Sequence, residues 1–252
     1  DEAAAAASLV DAKGGTFLSL RFAKAAGVHG VDIDDWAYPR YALPSWKHRG
    51  HPVELPIVLG LTRQESEFNP VAGSHAGARG LMQIMPGTAK MIARQHKVGY
   101  NERKLTSDPA YNVMLGAAHL GDLIAGYNGS YVLTLVAYNA GPRRVGEWIE
   151  MYGDPRGQVD PIDWVESVPF TETRKYIQKV LQNVHVYRAR LDPASALPMT
   201  ADLVRGGRPF GTDLARGGIP ASPTITATGD RDKDLSCDTA SQASIVALIE
   251  TC

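Results

Sequence analysis

The stretch Leu55-Pro56-Ile57-Val58-Leu59-Gly60-Leu61-Thr62-Arg63-Gln64-Glu65-Ser66-Glu67-Phe68 decides how the rest of the chain is read. Pro56 falls in a first helical turn, where a missing backbone N–H costs nothing. Projected at about 100° per residue from Leu55, the apolar residues Ile57, Val58, Leu59, Leu61 and Phe68 fall at roughly 200°, 300°, 40°, 240° and 220°. Glu65 falls at about 280°, inside that apolar arc, whereas Arg63 and Glu67 take the polar side. A carboxyl set in a buried stripe loses hydration, which favours its neutral form near neutral pH. That property suits a general acid that must protonate a glycosidic or similar oxygen. On these residues alone a plainer reading stays open, in which Glu65 pairs with a core-facing Arg or caps a neighbouring helix.

Helix-length periodicity continues on the C-terminal side. Residues 88–96 follow Pro86-Gly87, and residues 109–125 carry Val113, Leu115, Ala117, Leu120 and Ile124 before stopping at Gly126. Residues 130–140 stop at Gly141-Pro142, a common terminating pair. Residues 171–191 place Tyr176, Ile177, Val180, Leu181, Val184 and Tyr187 at helical spacing. Strand character is confined to residues 80–85, so the expected fold is mostly α with a short β element. Upstream, an Ala-rich helix former (2–12), Gly14-Gly15 and a second amphipathic run (17–26) precede an aromatic, Pro-bearing strap at 31–44. The expected plan is a helical lead-in over 1–45, one helical domain over 46–192, and an irregular tail over 193–252 that closes in a helix at 241–251. No internal repeat of 20–50 residues is visible.

Composition narrows the function classes. The 252 residues correspond to between one and two ordinary domains. An apolar fraction of 44% and a charged fraction of 21% exclude disorder as a description of the whole chain. With 26 basic and 27 acidic residues there is no global field to gather nucleic acid or anionic lipid. Apolar runs reach only about eight residues, so no membrane span is expected. The chain opens at Asp1 without a leader-like segment, and no compartment is read from that. Histidines 29, 48, 51, 75, 96, 119 and 185 form no H-x-H or H-E-x-x-H pair, and both cysteines lie in the tail. No zinc site is therefore suggested. Walker, G-x-G-x-x-G and G-x-S-x-G patterns are missing too, and no cofactor is expected.

Four motifs stand in order: Arg63-Gln64-Glu65-Ser66-Glu67-Phe68-Asn69-Pro70; Ser74-His75-Ala76-Gly77-Ala78-Arg79-Gly80-Leu81-Met82-Gln83-Ile84-Met85-Pro86-Gly87-Thr88-Ala89; Ala137-Tyr138-Asn139-Ala140-Gly141-Pro142; and Val165-Glu166-Ser167-Val168-Pro169-Phe170-Thr171-Glu172-Thr173-Arg174-Lys175-Tyr176. Each is weak alone. Together, over roughly residues 46–190, they resemble the catalytic module of the soluble lytic transglycosylases, bacterial enzymes that cut peptidoglycan. Residues 1–45 resemble, more loosely, the last turns of the helical lead-in that precedes that module.

The resemblance implies a lysozyme-like helical fold with a long groove for glycan strands. It implies Glu65 as the sole catalytic acid and base. Glu65 would protonate the oxygen joining N-acetylmuramic acid to N-acetylglucosamine, then accept a proton from the C6 hydroxyl as that oxygen closes onto C1. Most glycosidases use two carboxylates, and a single-Glu site leans instead on the substrate's own N-acetyl group. The resemblance also implies substrate contacts for Ser74, Gln83, Met85, Tyr138 and Glu172. Four of them have a plainer alternative: a loop serine for Ser74, core packing for Met85, a core tyrosine with a satisfied hydroxyl for Tyr138, and an acid favoured by the helix dipole for Glu172. Gln83 and Met85, two apart on an extended segment, would point the same way.

By the same resemblance the partner is peptidoglycan, in the periplasm of a Gram-negative bacterium, with no nucleic acid and no membrane span. Protein partners are not legible. Cys237 and Cys252 then read as a disulfide formed in an oxidising compartment. A straight helix between them would hold the sulfurs about 22 Å apart, so a bridge needs a turn within 238–243. Free or intermolecular thiols are the alternative. Two other functions stay open: a hydrolytic muramidase on the same fold, and a scaffold that grips glycan with an idle acid.

Overall fold

Helix α3, Leu55–Ser66, is the axis of the molecule in the computed structural model, which describes residues 2–195 and 197–206. It buries Pro56 through Thr62 without interruption. Against it lies α10, Thr171–Leu191, the longest helix of the main body. Their approach is close because Gly60 has no side chain: a Cβ there would meet the Val184 backbone nitrogen at 3.0 Å and the Asn183 Cβ at 3.2 Å. Asn183 uses that proximity to donate its side-chain N–H to the Gly60 carbonyl at 3.1 Å.

Around this pair stand α4 (Pro86–Gln95), α6 (Pro109–Gly126), α7 (Tyr131–Ala140), α8 (Pro142–Tyr152) and α9 (Pro161–Ser167). A short α5, Lys104–Ser107, leads into α6. Side chains set the starts of three of these helices. Asp108 accepts from the Tyr111 N–H, Ser130 from Leu133, and Asp160 from Ile162 and Asp163. The core joins Ile57, Leu59 and Leu61 of α3 with Met82, Leu115, Leu120, Leu133, Trp164 and Tyr187.

The N-terminal helix α1, Glu2–Val28, is broken at Gly15, whose φ of 71° no helix contains. Ala7 and Ala23 pack in one small cluster with Ile33. In a straight helix they would be about 24 Å apart, so the two limbs fold back as a hairpin. Leu20 reaches the main core, and Lys24 pairs with Glu67 at 2.5 Å. The strap that follows holds one short helix, α2 (Asp34–Ala37). Arg63 staples it down: Nε donates to the Ala37 carbonyl at 2.9 Å, and the guanidinium lies 4.0 Å from the Tyr38 ring centre.

The β element shrinks to two isolated antiparallel bridges, Gly73 with Arg79 and Arg79 with Ile84. Positive φ at Gly80 (73°) and Gln83 (44°) curls the chain out of the extended region. Buried Asn112 takes up the backbone groups a strand partner would have used. It accepts from the Met82 N–H at 2.9 Å and donates to the Arg79 and Leu105 carbonyls, each at 2.9 Å.

Beyond α10 the chain does not leave the surface at residue 193. A 3-10 turn at Pro193–Ser195 leads to α11, Met199–Leu203, whose Asp202 is 1% exposed. Asp202 accepts from Arg188 at 2.8 and 3.2 Å, and Arg188 also donates to Glu54 at 2.7 Å. Arg205 donates to both acids, and the Tyr131 hydroxyl donates to Glu54. Burial works to raise the Glu54 pKa, but the Arg188 and Tyr131 hydrogen bonds and the two guanidinium charges outweigh it. Its carboxyl is held below the usual range. Cys237, Cys252 and the helix expected over 241–251 lie outside the described residues.

Candidate active site

Glu65 sits in the last turn of α3, on the side that faces α10 and α7. It is partly buried rather than sealed. Tyr176, in the second turn of α10, donates its hydroxyl to Glu65 Oε1 at 2.5 Å. The other carboxylate oxygen accepts no hydrogen bond from the described residues. Loss of hydration pushes the Glu65 pKa up to about 7; the Tyr176 hydrogen bond opposes the rise, and the charge of Glu172 adds to it. A carboxyl poised there is available both as acid and as base near neutral pH.

The phenols beside it are locked in the protonated form. Burial, then the Glu65 charge, lifts both the Tyr176 and Tyr138 pKa values well above the ordinary tyrosine range. Tyr138 lies at the end of α7 and donates its hydroxyl to the Met82 carbonyl at 2.8 Å. The neighbouring Asn139 accepts from Thr173 at 2.7 Å, which ties the end of α7 to the start of α10. The ring of His119, from α6, packs 5.4 Å from that of Tyr138. Burial drives the His119 pKa down to about 4, against the pull of Asp122, so the imidazole is neutral under ordinary conditions.

The loop opposite is positioned from Ser66, the residue after Glu65. Its hydroxyl donates to the Leu81 carbonyl at 2.7 Å, which fixes the 80–84 turn beside the carboxyl. Gly80 seats that turn against the protein: a Cβ there would stand 2.1 Å from the Leu105 carbonyl oxygen.

The expected site residues fare differently. Tyr138 and Glu172 both come near enough to influence Glu65 electrostatically. Glu172 is exposed, one helical turn before Tyr176 and on the same face of α10. Met85 is exposed at the N-cap of α4. Gln83 and Met85 do not share a direction, because the positive φ at Gln83 breaks the alternation that an extended segment requires. The Gln83 amide nitrogen is spent inside the loop, donating to Ala72 and Gly80 carbonyls at 3.1 and 2.8 Å. Ser74 is exposed on the adjoining loop, and its hydroxyl oxygen accepts from the Ala78 N–H at 3.0 Å. No metal-holding group of His, Cys, Asp and Glu occurs among the described residues.

Two residues of consequence escaped the sequence reading. Tyr176 was counted only among the apolar positions of its helix, although it closes the fourth motif. Asn112 stood unremarked on a helix whose neighbours are apolar. A buried amide amid Val113, Met114 and Leu115 signals loop backbone that needs partners.

Comparisons with known proteins bear on the domain and its fold. A family model described as the transglycosylase SLT domain matches residues 46–160. The soluble lytic murein transglycosylase of Escherichia coli K12 is 37% identical over 140 residues, 55% of this chain and 21% of the relative. Among solved structures, the 70 kDa soluble lytic transglycosylase of Escherichia coli superimposes with a TM-score of 0.66 at 30% identity. That match covers 79% of this chain and 32% of the other. An inactive mutant of lytic transglycosylase Slt from Pseudomonas aeruginosa gives 0.62 at 32% identity, over 77% of this chain and 30% of that one. The chain thus spans about a fifth of the length of the curated relative and about a third of the solved ones. Residues 46–160 match the transglycosylase SLT domain, and the helical fold is similar to that of the lysozyme-like soluble lytic transglycosylases.

Proposed function

We propose that this chain is a peptidoglycan lytic transglycosylase, acting on glycan strands in the periplasm of a Gram-negative bacterium. The observation that carries the reading is the Glu65 carboxyl: raised to about 7 by burial, held at one oxygen by Tyr176, and open at the other. The neutral acid protonates the bridging oxygen as the C1–O bond breaks, and the substrate's N-acetyl group supports the developing charge at C1. The resulting carboxylate takes the proton of the C6 hydroxyl while O6 bonds to C1. Glu65 ends the cycle protonated and no water is consumed. A poise near neutrality lets one group serve both steps.

Ser74, Met85 and Glu172 line the substrate side in this reading, Gln83 holds the loop and offers its amide oxygen, and Tyr138 fixes the backbone at Met82 beside the reacting bond. Cys237 and Cys252 are proposed to form a bridge in that oxidising compartment. No helix among the described residues is long and apolar enough to cross a membrane.

Mass spectrometry of purified glycan digests is the test. Anhydro ends, lighter by one water than hydrolysed ends and lacking a reducing terminus, are the expected products. Reducing ends would make the protein a hydrolytic muramidase instead. E65Q should lower the rate at least about a hundredfold, in line with removal of a general acid; digestion at the wild-type rate would remove Glu65 from the chemistry.

A further inference from the structure

One polar side chain beside the site has no protein partner. Asn112, Gly116 and His119 recur along α6 at i, i+4 and i+7, so they share one face of that helix. The face grips the turn next to Glu65. Asn112 accepts the Met82 N–H at 2.9 Å, and a Cβ on Gly116 would stand 2.4 Å from Met82 Sδ. Tyr138 completes the hold by donating to the Met82 carbonyl at 2.8 Å. His119 meets Tyr138 ring to ring, with centres 5.4 Å apart and planes inclined at 38°. Tyr138 lies close enough to Glu65 to feel its charge. The imidazole is therefore one ring removed from the candidate acid.

Its nitrogens set it apart. Neither forms a hydrogen bond or ion pair with a described residue, and neither is sealed from solvent. His96, by contrast, spends Nε2 on Asp122 at 2.7 Å, and Nδ1 of His185 is sealed off with no partner. Asp122, one turn beyond His119, is also bound to Gln95 and is fully engaged. His119 is half-buried, and polar atoms in such places ordinarily find a partner in the protein or in what fills the space beside them. With its pKa down at about 4, the ring keeps one N–H donor and one bare acceptor nitrogen around neutral pH, where Glu65 is poised. A sugar hydroxyl both donates and accepts, and an N-acetyl group offers a carbonyl and an N–H, so each matches a neutral imidazole.

We infer that His119 contacts the glycan strand, exchanging hydrogen bonds with a hydroxyl or N-acetyl group of a sugar seated past the Tyr138 ring. The inference deepens the proposed function and rests on it. A contact remote from the reacting atoms holds substrate and transition state alike, so it governs affinity rather than turnover.

Two measurements test it. H119F keeps an aromatic ring against Tyr138 and removes both nitrogens. On purified glycan strands it should raise KM about fivefold, the scale of one neutral hydrogen bond, with kcat within about twofold of wild type. A lower kcat at unchanged KM would make His119 a support for Tyr138 instead, and unchanged kinetics would leave it no part; either result overturns the contact. The second measurement follows the His119 ring nitrogens of wild type by NMR as a hexamer of N-acetylglucosamine is added. Their signals should shift as the protein saturates. Nitrogens that stay unmoved while wild type still cuts glycan strands would overturn the inference alone, whether or not H119F folds. A wild type that cuts no glycan would overturn the proposed activity, and the contact with it.

Discussion

At Glu65 three influences meet, and each has a separate handle. Burial raises the proton affinity, the Tyr176 hydrogen bond lowers it, and the Glu172 charge raises it. Since the first step of the proposed reaction needs the neutral acid, the rate should fall as pH climbs through about 7. Y176F removes the lowering influence, so the alkaline limb of the pH–rate profile should move to higher pH. E172Q removes a raising one, and the limb should move to lower pH. Shifts in the same direction, or none, would mean that neither side chain sets the carboxyl's poise. Glu65 was legible in the sequence because an acid inside an apolar arc stands out. Tyr176 was not, because an aromatic residue at helical spacing looks like any other core residue until its hydroxyl finds a partner.

Three helices deliver the site: α3 carries Glu65, α7 carries Tyr138, and α10 carries Tyr176. Their opposite ends converge as well. Glu54 precedes α3, Tyr131 begins α7 and Arg188 lies near the end of α10, and all three join Asp202 and Arg205 in one ionic cluster, whose Arg188–Asp202 pair is buried. D202N leaves Arg188, 3% exposed, with its charge only partly compensated. The expected cost is about 3 kcal/mol, the low end for breaking a buried pair, read as a lower urea midpoint. A midpoint unchanged from wild type would show that α11 is dispensable. Helix existence and most boundaries followed from periodicity and from Gly-Pro punctuation, and residues 171–191 match α10 end to end. The helices α8 and α9 were not foreseen. The docking of α11 was hidden too, because Asp202 and Arg205 in a Pro- and Gly-rich stretch carry no apolar periodicity; only the distant Arg188 gives them meaning. The expected strand failed for a local reason, since positive φ at Gly80 and Gln83 is not written in the apolar pattern.

For the whole molecule, a raised acid weighs against stability. Below about pH 4.5 Glu65 is neutral folded or unfolded and contributes nothing. As pH rises from there towards 7 the unfolded chain releases that proton while the folded one retains it, so unfolding grows easier. The full penalty is present above about pH 7. A shift of about 2.5 pH units corresponds to about 3 kcal/mol. E65Q should therefore unfold at a higher temperature than wild type at pH 8, and at nearly the same temperature at pH 4.5. Equal melting at both values would mean that the fold does not strain this carboxyl.

The junction at Arg188 also bears on how the structure opens. Three helices tied at one end to the Glu54 carboxylate, by Arg188 of α10 and Tyr131 of α7, cannot detach one by one without breaking a bond to that group. They should behave as a single foldon, whose slowest-exchanging amides report complete unfolding. The N-terminal hairpin, held mainly by its own small cluster, Leu20 and the Lys24 bridge, can peel off first. Hydrogen exchange would then resolve two tiers of protection, with α3, α7 and α10 sharing the upper one.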